Sequence, residues 1–141
     1  MAGLLRAMCA IAVSLLIGAC SREVAPTAQP ESAAAANTRR GELLSLACQA
    51  CHALTPSGGP NIGPSLYGVF GRPAASVPDF EYSAALQAAE FSWTADRLDA
   101  WLQAPTDFLP GTTMIFAGYG NAADRQVLIS WLQTATAPRA E

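Results

Sequence analysis

Residues 46–54 read LACQACHAL, which sets Cys48, Cys51 and the chain's one histidine, His52, within five residues. Two thiols and an imidazole that close together seldom serve packing alone. Residues 54–81 follow, 28 residues rich in glycine and proline. Such punctuation leaves no room for long regular elements. A loop of that length is uncommon inside a compact domain. It becomes reasonable when the chain wraps something other than protein, so the fold must be organised around a site that includes residues 48–52.

Four chemistries compete for the motif. A redox-active dithiol uses C-x-x-C but normally sits in a βαβ pattern, and no strand pattern is present. Structural zinc needs about four Cys or His ligands, and the domain offers Cys48, Cys51 and His52. A disulfide between the cysteines leaves the histidine without a role. C-x-x-C-H is the attachment signature of c-type haem. Each thiol can form a thioether to a vinyl group of the porphyrin, and the adjacent imidazole can then ligate the iron. A sixth ligand follows by elimination. The chain has no second histidine and no lysine, and Met1 and Met8 lie in the N-terminal apolar segment. Met114, in PGTTMIF, is the remaining strong donor. Its alternative role is that of a core gap-filler.

The N-terminus reads MAGLLRAMCAIAVSLLIGAC. A basic residue, a short apolar run and small residues before Cys20 make a secretory signal peptide. The run is shorter than the ~20 residues a bilayer span needs. LIGAC also resembles the bacterial lipobox, which implies cleavage after residue 19 and lipid on Cys20; the alternative is an ordinary signal peptide. Residues 20–38, rich in Ala, Pro, Ser and Thr, read as the lipidated cysteine and a flexible linker, with a helical turn at the run of four alanines as the alternative there. The domain is expected over residues 39–137, with a tail at 138–141. Export places it outside the reducing cytosol. From Cys20 onward seven arginines face eleven carboxylates, a side-chain balance of −4. This argues against nucleic-acid binding.

Helical periodicity predicts a first helix over about 39–50, capped by Thr38, with Leu43, Ala47 and Ala50 on one face and Leu44, Cys48 and Cys51 on the next. Ser83 caps a short helix to about Ala89. Thr94 caps a helix over 95–103 whose inner face carries Leu98, Trp101 and Leu102, ended by Pro105. Residues 105–120 read as a loop. The last helix is expected over 122–134, with a stripe of Val127, Leu128, Trp131 and Leu132.

With CQACH, GPSLYGVFGR, FEYSAAL, SWTADRLDAWLQAP, PGTTMIFAG and DRQVLISWL in this order, the chain resembles the class I cytochromes c, of the small mitochondrial and bacterial type, over about residues 40–136. The interval of 62 residues from His52 to Met114 also resembles that of the mitochondrial type. The resemblance implies an all-α fold with three main helices and a short one around one covalent haem c, joined by long loops. It implies Cys48 and Cys51 as haem attachments and His52 and Met114 as axial ligands. Pro64 would accept the other imidazole N–H. Arg72, Tyr82 and Trp93 would hold the propionates, and Thr112 would bond within the methionine loop. Phe116 would pack near the haem edge, and Leu128 and Trp131 across the first helix. Four positions depart from the family pattern. Trp101 stands for a tyrosine and Leu86 for a polar residue near the haem. Arg40 stands where a glycine eight residues before Cys48 is usual, with Gly41 one residue late. Thr113 replaces the lysine before the ligand, and the lysine ring of the family is absent.

These expectations describe a one-electron carrier rather than an enzyme, since both axial positions are filled. The resemblance implies redox partners such as a quinol–cytochrome c oxidoreductase, a terminal oxidase, a reaction centre or a periplasmic dehydrogenase. A monomer is expected on the periplasmic side of a bacterial membrane, held by the lipid. The alternatives are a non-exchanging haem subunit of one membrane complex and a haem enzyme or sensor with a labile methionine.

Overall fold

The computed structural model describes residues 31–58 and 62–138. The expected signal peptide, Cys20 and most of the expected linker lie outside the described residues, as do residues 139–141. Five helices appear in the order α1 (Ala33–Gln49), α2 (Ala84–Gln87), α3 (Ala95–Gln103), α4 (Pro105–Phe108) and α5 (Ala122–Ala135). Among the described residues there is no strand, only an isolated bridge between Pro73 and Ser92. None of the helices is long and apolar enough to cross a membrane.

The first helix begins six residues earlier than its sequence suggests. Ser32, not Thr38, is the cap, and its hydroxyl accepts the Ala35 N–H. Alanine is the strongest helix former, so the run Ala33–Ala36 extends α1 through what reads as linker. Thr38 sits inside the helix and donates its hydroxyl to the Ala34 carbonyl at 2.9 Å. Of the two apolar stripes, the one with Leu44 and Cys48 faces the core. Leu43 and Leu46 are exposed, while Gly41 and Ser45 are buried. Leu44 and Cys48 complete that face against the core.

The helix crossing explains the choice. A Cβ at Gly41 would lie 2.5 Å from Trp131 Cβ and 2.9 Å from the Val127 carbonyl oxygen. Gly41, one residue later than the family position, is thus the close-approach residue between α1 and α5. Beside it, Arg40 pairs with Asp124 at the start of α5, Nε to Oδ1 2.6 Å.

The other helices follow their caps. Ser83 accepts from Leu86, Thr94 from Arg97, and Asn121 from Ala123 and Asp124. Pro105 does more than end α3. It opens α4 from the first turn, where a missing N–H costs nothing, so part of the expected loop 105–120 is helical. The core joins Val69, Leu98, Trp101, Leu102, Leu128, Ile129 and Leu132. On α5, Ile129 is buried where Val127 was expected, and Val127 is half-buried.

The long loop after residue 54 is tied down from several sides. Leu66 donates to the Ala53 carbonyl, Gly68 to Thr136, and Gly71 to Trp93. Val69, 2% exposed, plugs it into the core. These ties shape one wall of a cavity.

Candidate functional site

The cavity has a volume of about 290 Å³ and a mostly apolar lining. Its proximal wall is the end of α1. The amides of Cys51 and His52 both bond back to the Cys48 carbonyl, at 3.1 and 2.9 Å. That tight turn brings Cys48, Cys51 and His52 onto the same cavity. The two thiols are free. Burial pushes the Cys48 thiol above its ordinary range, the opposite of the depressed pKa that activates a redox dithiol.

His52 is held by its neighbours. Its Nδ1 lies 2.7 Å from the Pro64 carbonyl oxygen. A carbonyl only accepts, so Nδ1 carries the proton and Nε2 keeps its lone pair for a metal. Burial pushes the imidazole below its ordinary pKa, only partly offset by the Pro64 bond. It is therefore neutral at pH 7, as ligation requires. Gly63 lies against the ring, where an added Cβ would be 2.3 Å from Cε1.

The segment after α4 supplies another part of the lining. Met114 lines the cavity together with Thr112, Thr113, Ile115 and Phe116. Thr112 Oγ1 accepts the Met114 amide at 3.3 Å. Arg72, Tyr82 and Trp93 line it as well. Arg72 donates to the backbone carbonyls of Tyr67 and Ser65 and retains further N–H donors. The Tyr82 hydroxyl oxygen accepts from the Val77 amide at 3.1 Å, which leaves its proton for another acceptor. Trp93 is braced edge-on by Phe91 and by Trp101, with centroids 4.9 and 5.3 Å away.

Trp101 and Leu86, the departures from the family pattern, also face the cavity. Among the described residues Arg72 is its one permanently charged lining side chain, and the lining residues Ile62 and Ile115 are 75% and 102% exposed. All the sequence-selected residues from Cys48 to Met114 therefore meet at one place, while Cys20 lies outside the described residues.

The residues fit a covalently held haem. Two thiols one turn apart, an imidazole of fixed tautomer and a thioether line the same apolar space. Hydrogen-bond donors suited to carboxylates line the same space. Among the described residues no group of three or more His, Cys, Asp and Glu is arranged to hold a bare metal ion.

Three further residues tie together the elements around the site without a signal in the sequence. Tyr119 donates its hydroxyl to the Leu44 carbonyl of α1 at 2.8 Å. Arg125, 5% exposed, donates to both Asp99 carboxylate oxygens and to the Tyr119 and Gly120 carbonyls. Their partners are 26 or more residues away or on the backbone, so no local pattern marks Tyr119, Arg125 or Asp99.

No family model matches the chain. Individual relatives do. The chain is 41% identical over 110 residues to a cytochrome c homolog of Rickettsia bellii, covering 78% of this chain and 64% of that protein. It is 40% identical over 94 residues to cytochrome c of Stellaria longipes, covering 67% and 87% of the two chains. With cytochrome c2 of Rhodomicrobium vannielii the identity is 37% over 101 residues, covering 72% and 81%. The chain spans 56–64% of the length of the Rickettsia relatives that it matches. With this likeness running over most of the domain, and with the C-x-x-C-H turn and Met114 on one cavity, the chain belongs to the cytochrome c family.

Proposed function

We propose that the chain is a one-electron carrier built on one covalent haem c, with Cys48 and Cys51 as thioether attachments and His52 and Met114 as axial ligands. The observation that carries this reading is the meeting of the C-x-x-C-H turn and Met114 on a single apolar cavity. When bound, the haem iron supplies a one-electron ferrous–ferric couple.

The chain's residues do the rest. Pro64 holds the imidazole proton on Nδ1 and so presents Nε2. Ligation by His52 and Met114 would raise the potential and would leave no open iron position for a substrate. Arg72, Tyr82 and Trp93 offer donors to the propionates. The apolar lining excludes water and disfavours extra charge in the site. Ile62 and Ile115 present an uncharged rim to redox partners, in place of a lysine ring.

The partners are redox complexes of a bacterial envelope, such as quinol-oxidising complexes, terminal oxidases, reaction centres or periplasmic dehydrogenases. The chain is exported and held at the membrane by lipid on Cys20. The LIGAC sequence supports this, and Cys20→Ser should move the protein into the soluble fraction.

The ligand set is tested on the haem-loaded protein with carbon monoxide. Reduced wild type should refuse it at neutral pH and show a methionine–iron absorption near the red end. Met114→Ala should bind it readily. Ready binding by the wild type would overturn the carrier reading.

A further inference from the structure

We propose that Tyr119 is a positioning residue for Met114, strapping the methionine loop to the helix that ends in the C-x-x-C-H turn. The proposal rests on Met114 being an axial ligand. Tyr119 lies five residues beyond Met114 and makes three hydrogen bonds to three helices. Its amide donates to the Leu102 carbonyl on α3 at 2.7 Å. Its carbonyl accepts from Arg125 on α5 at 2.9 Å. Its hydroxyl donates to the Leu44 carbonyl on α1 at 2.8 Å.

Arg125 is itself fixed by Asp99 of α3, Nε to Oδ1 3.0 Å and Nη2 to Oδ2 3.2 Å. The Tyr119 ring meets Phe116 edge-on, with centroids 5.1 Å apart, and Phe116 lies two residues from Met114 on the cavity wall. Two of the three bonds are made by backbone atoms and survive any side-chain change. The hydroxyl bond does not.

The hydroxyl bond spans 75 residues of sequence and ends on α1 one turn before Cys48. It is therefore a direct link between the loop that carries one proposed ligand and the helix that leads into the turn carrying the other. Removing it frees the loop to move away from α1 without emptying the core, because phenylalanine retains the ring.

The test uses the full haem-loaded chain, with imidazole as a competitor for the ferric iron. Tyr119→Phe should bind imidazole about two- to tenfold more tightly than wild type, the span of one net hydrogen bond. Its methionine–iron absorption should disappear at correspondingly lower imidazole. Arg40→Gln serves as the control. It breaks the Arg40–Asp124 contact between α1 and α5 while leaving all three Tyr119 hydrogen bonds in place, so it should lower thermal stability and leave imidazole affinity unchanged. Equal affinity in Tyr119→Phe and wild type would overturn the proposal. A shift of the same size in Arg40→Gln would also overturn it, since general loosening would then suffice. A wild type without the methionine–iron absorption would sink the axial assignment first, and the positioning role with it.

Discussion

Replacing Gly41 with alanine sets two effects of opposite sign against each other. In a helix interior, alanine is favoured over glycine by about 1 kcal/mol. On an isolated helix the change would stabilise. Here the new Cβ would stand 2.5 Å from Trp131 Cβ and 2.9 Å from the Val127 carbonyl oxygen, against 3.4–4 Å for ordinary contact. Neither neighbour is the movable end of a side chain, so no rotamer change relieves the overlap. α1 and α5 must part by roughly 1 Å, and a gap of that size forfeits a quarter to a half of each contact's attraction along the seam. Overpacking of this kind costs about 1–3 kcal/mol, and the rigid partners place it at the upper end. Net destabilisation should be about 2 kcal/mol, which in a domain of this size lowers Tm by about 8–16 °C. Thermal unfolding of the haem-loaded protein followed by circular dichroism reads this directly. Trp131→Ala retains its Cβ and should not rescue the variant. An unchanged or higher Tm for Gly41→Ala would refute the claim that the crossing is set by this glycine.

Other outcomes follow from the same geometry. Gly63→Ala would drive a methyl into the His52 ring and displace it from the Pro64 carbonyl; disturbing such a support costs about 10–100-fold in metal affinity, so the haem-loaded yield, measured by absorbance per protein, should fall sharply. Asp99→Asn leaves the Arg125 guanidinium without its carboxylate. Asp99 is partly exposed and the two carbonyls remain, so the cost should be about 2–3 kcal/mol, below the ~3–5 kcal/mol of a fully buried pair. Urea midpoints should fall with an unchanged slope. Burial, with the Asp124 carboxylate adding to it, raises the Tyr119 phenol above its ordinary value of 10.0. The folded state then holds its proton more tightly than the unfolded one. Stability from this group is complete below pH 10 and is lost as pH rises through the folded-state value. Tyr119→Phe should remove that alkaline slope, and an identical slope in both proteins would refute the assignment.

What could be read from the sequence follows the range over which each signal acts. α3 and α5 carry their caps and apolar stripes within a dozen residues, and both form where the pattern places them. The C-x-x-C-H turn is equally local. Met114 stands out by the scarcity of other donors, and its place on the same cavity needs only that the long loop close around something. The start of α1 reads as linker because Ala33–Ala36 has no apolar periodicity. High intrinsic propensity and a serine cap suffice to form the helix without it. Periodicity alone leaves two apolar stripes on α1 and does not choose between them; the small residues Gly41 and Ser45 take the buried face and Leu43 stays exposed, since α5 crosses too close for leucine. Tyr119, Arg125 and Asp99 escape notice because their bonds join distant segments, and each alone resembles an ordinary polar surface residue.

The methionine segment is pinned on both sides. Thr112 is bonded to Leu109 and Met114. On the other side Gly118, with φ near 89°, lies so close to the end of α3 that a side chain there would overlap the Gln103 carbonyl. The chain between these pins is a strap whose reach is set by its residue count. One inserted residue would add up to ~3.5 Å of slack, more than the length of a coordinate bond. Exchanging side chains along the strap alters its surface but not its reach. Relatives that share the methionine should therefore vary in what these positions hold and agree in how many there are.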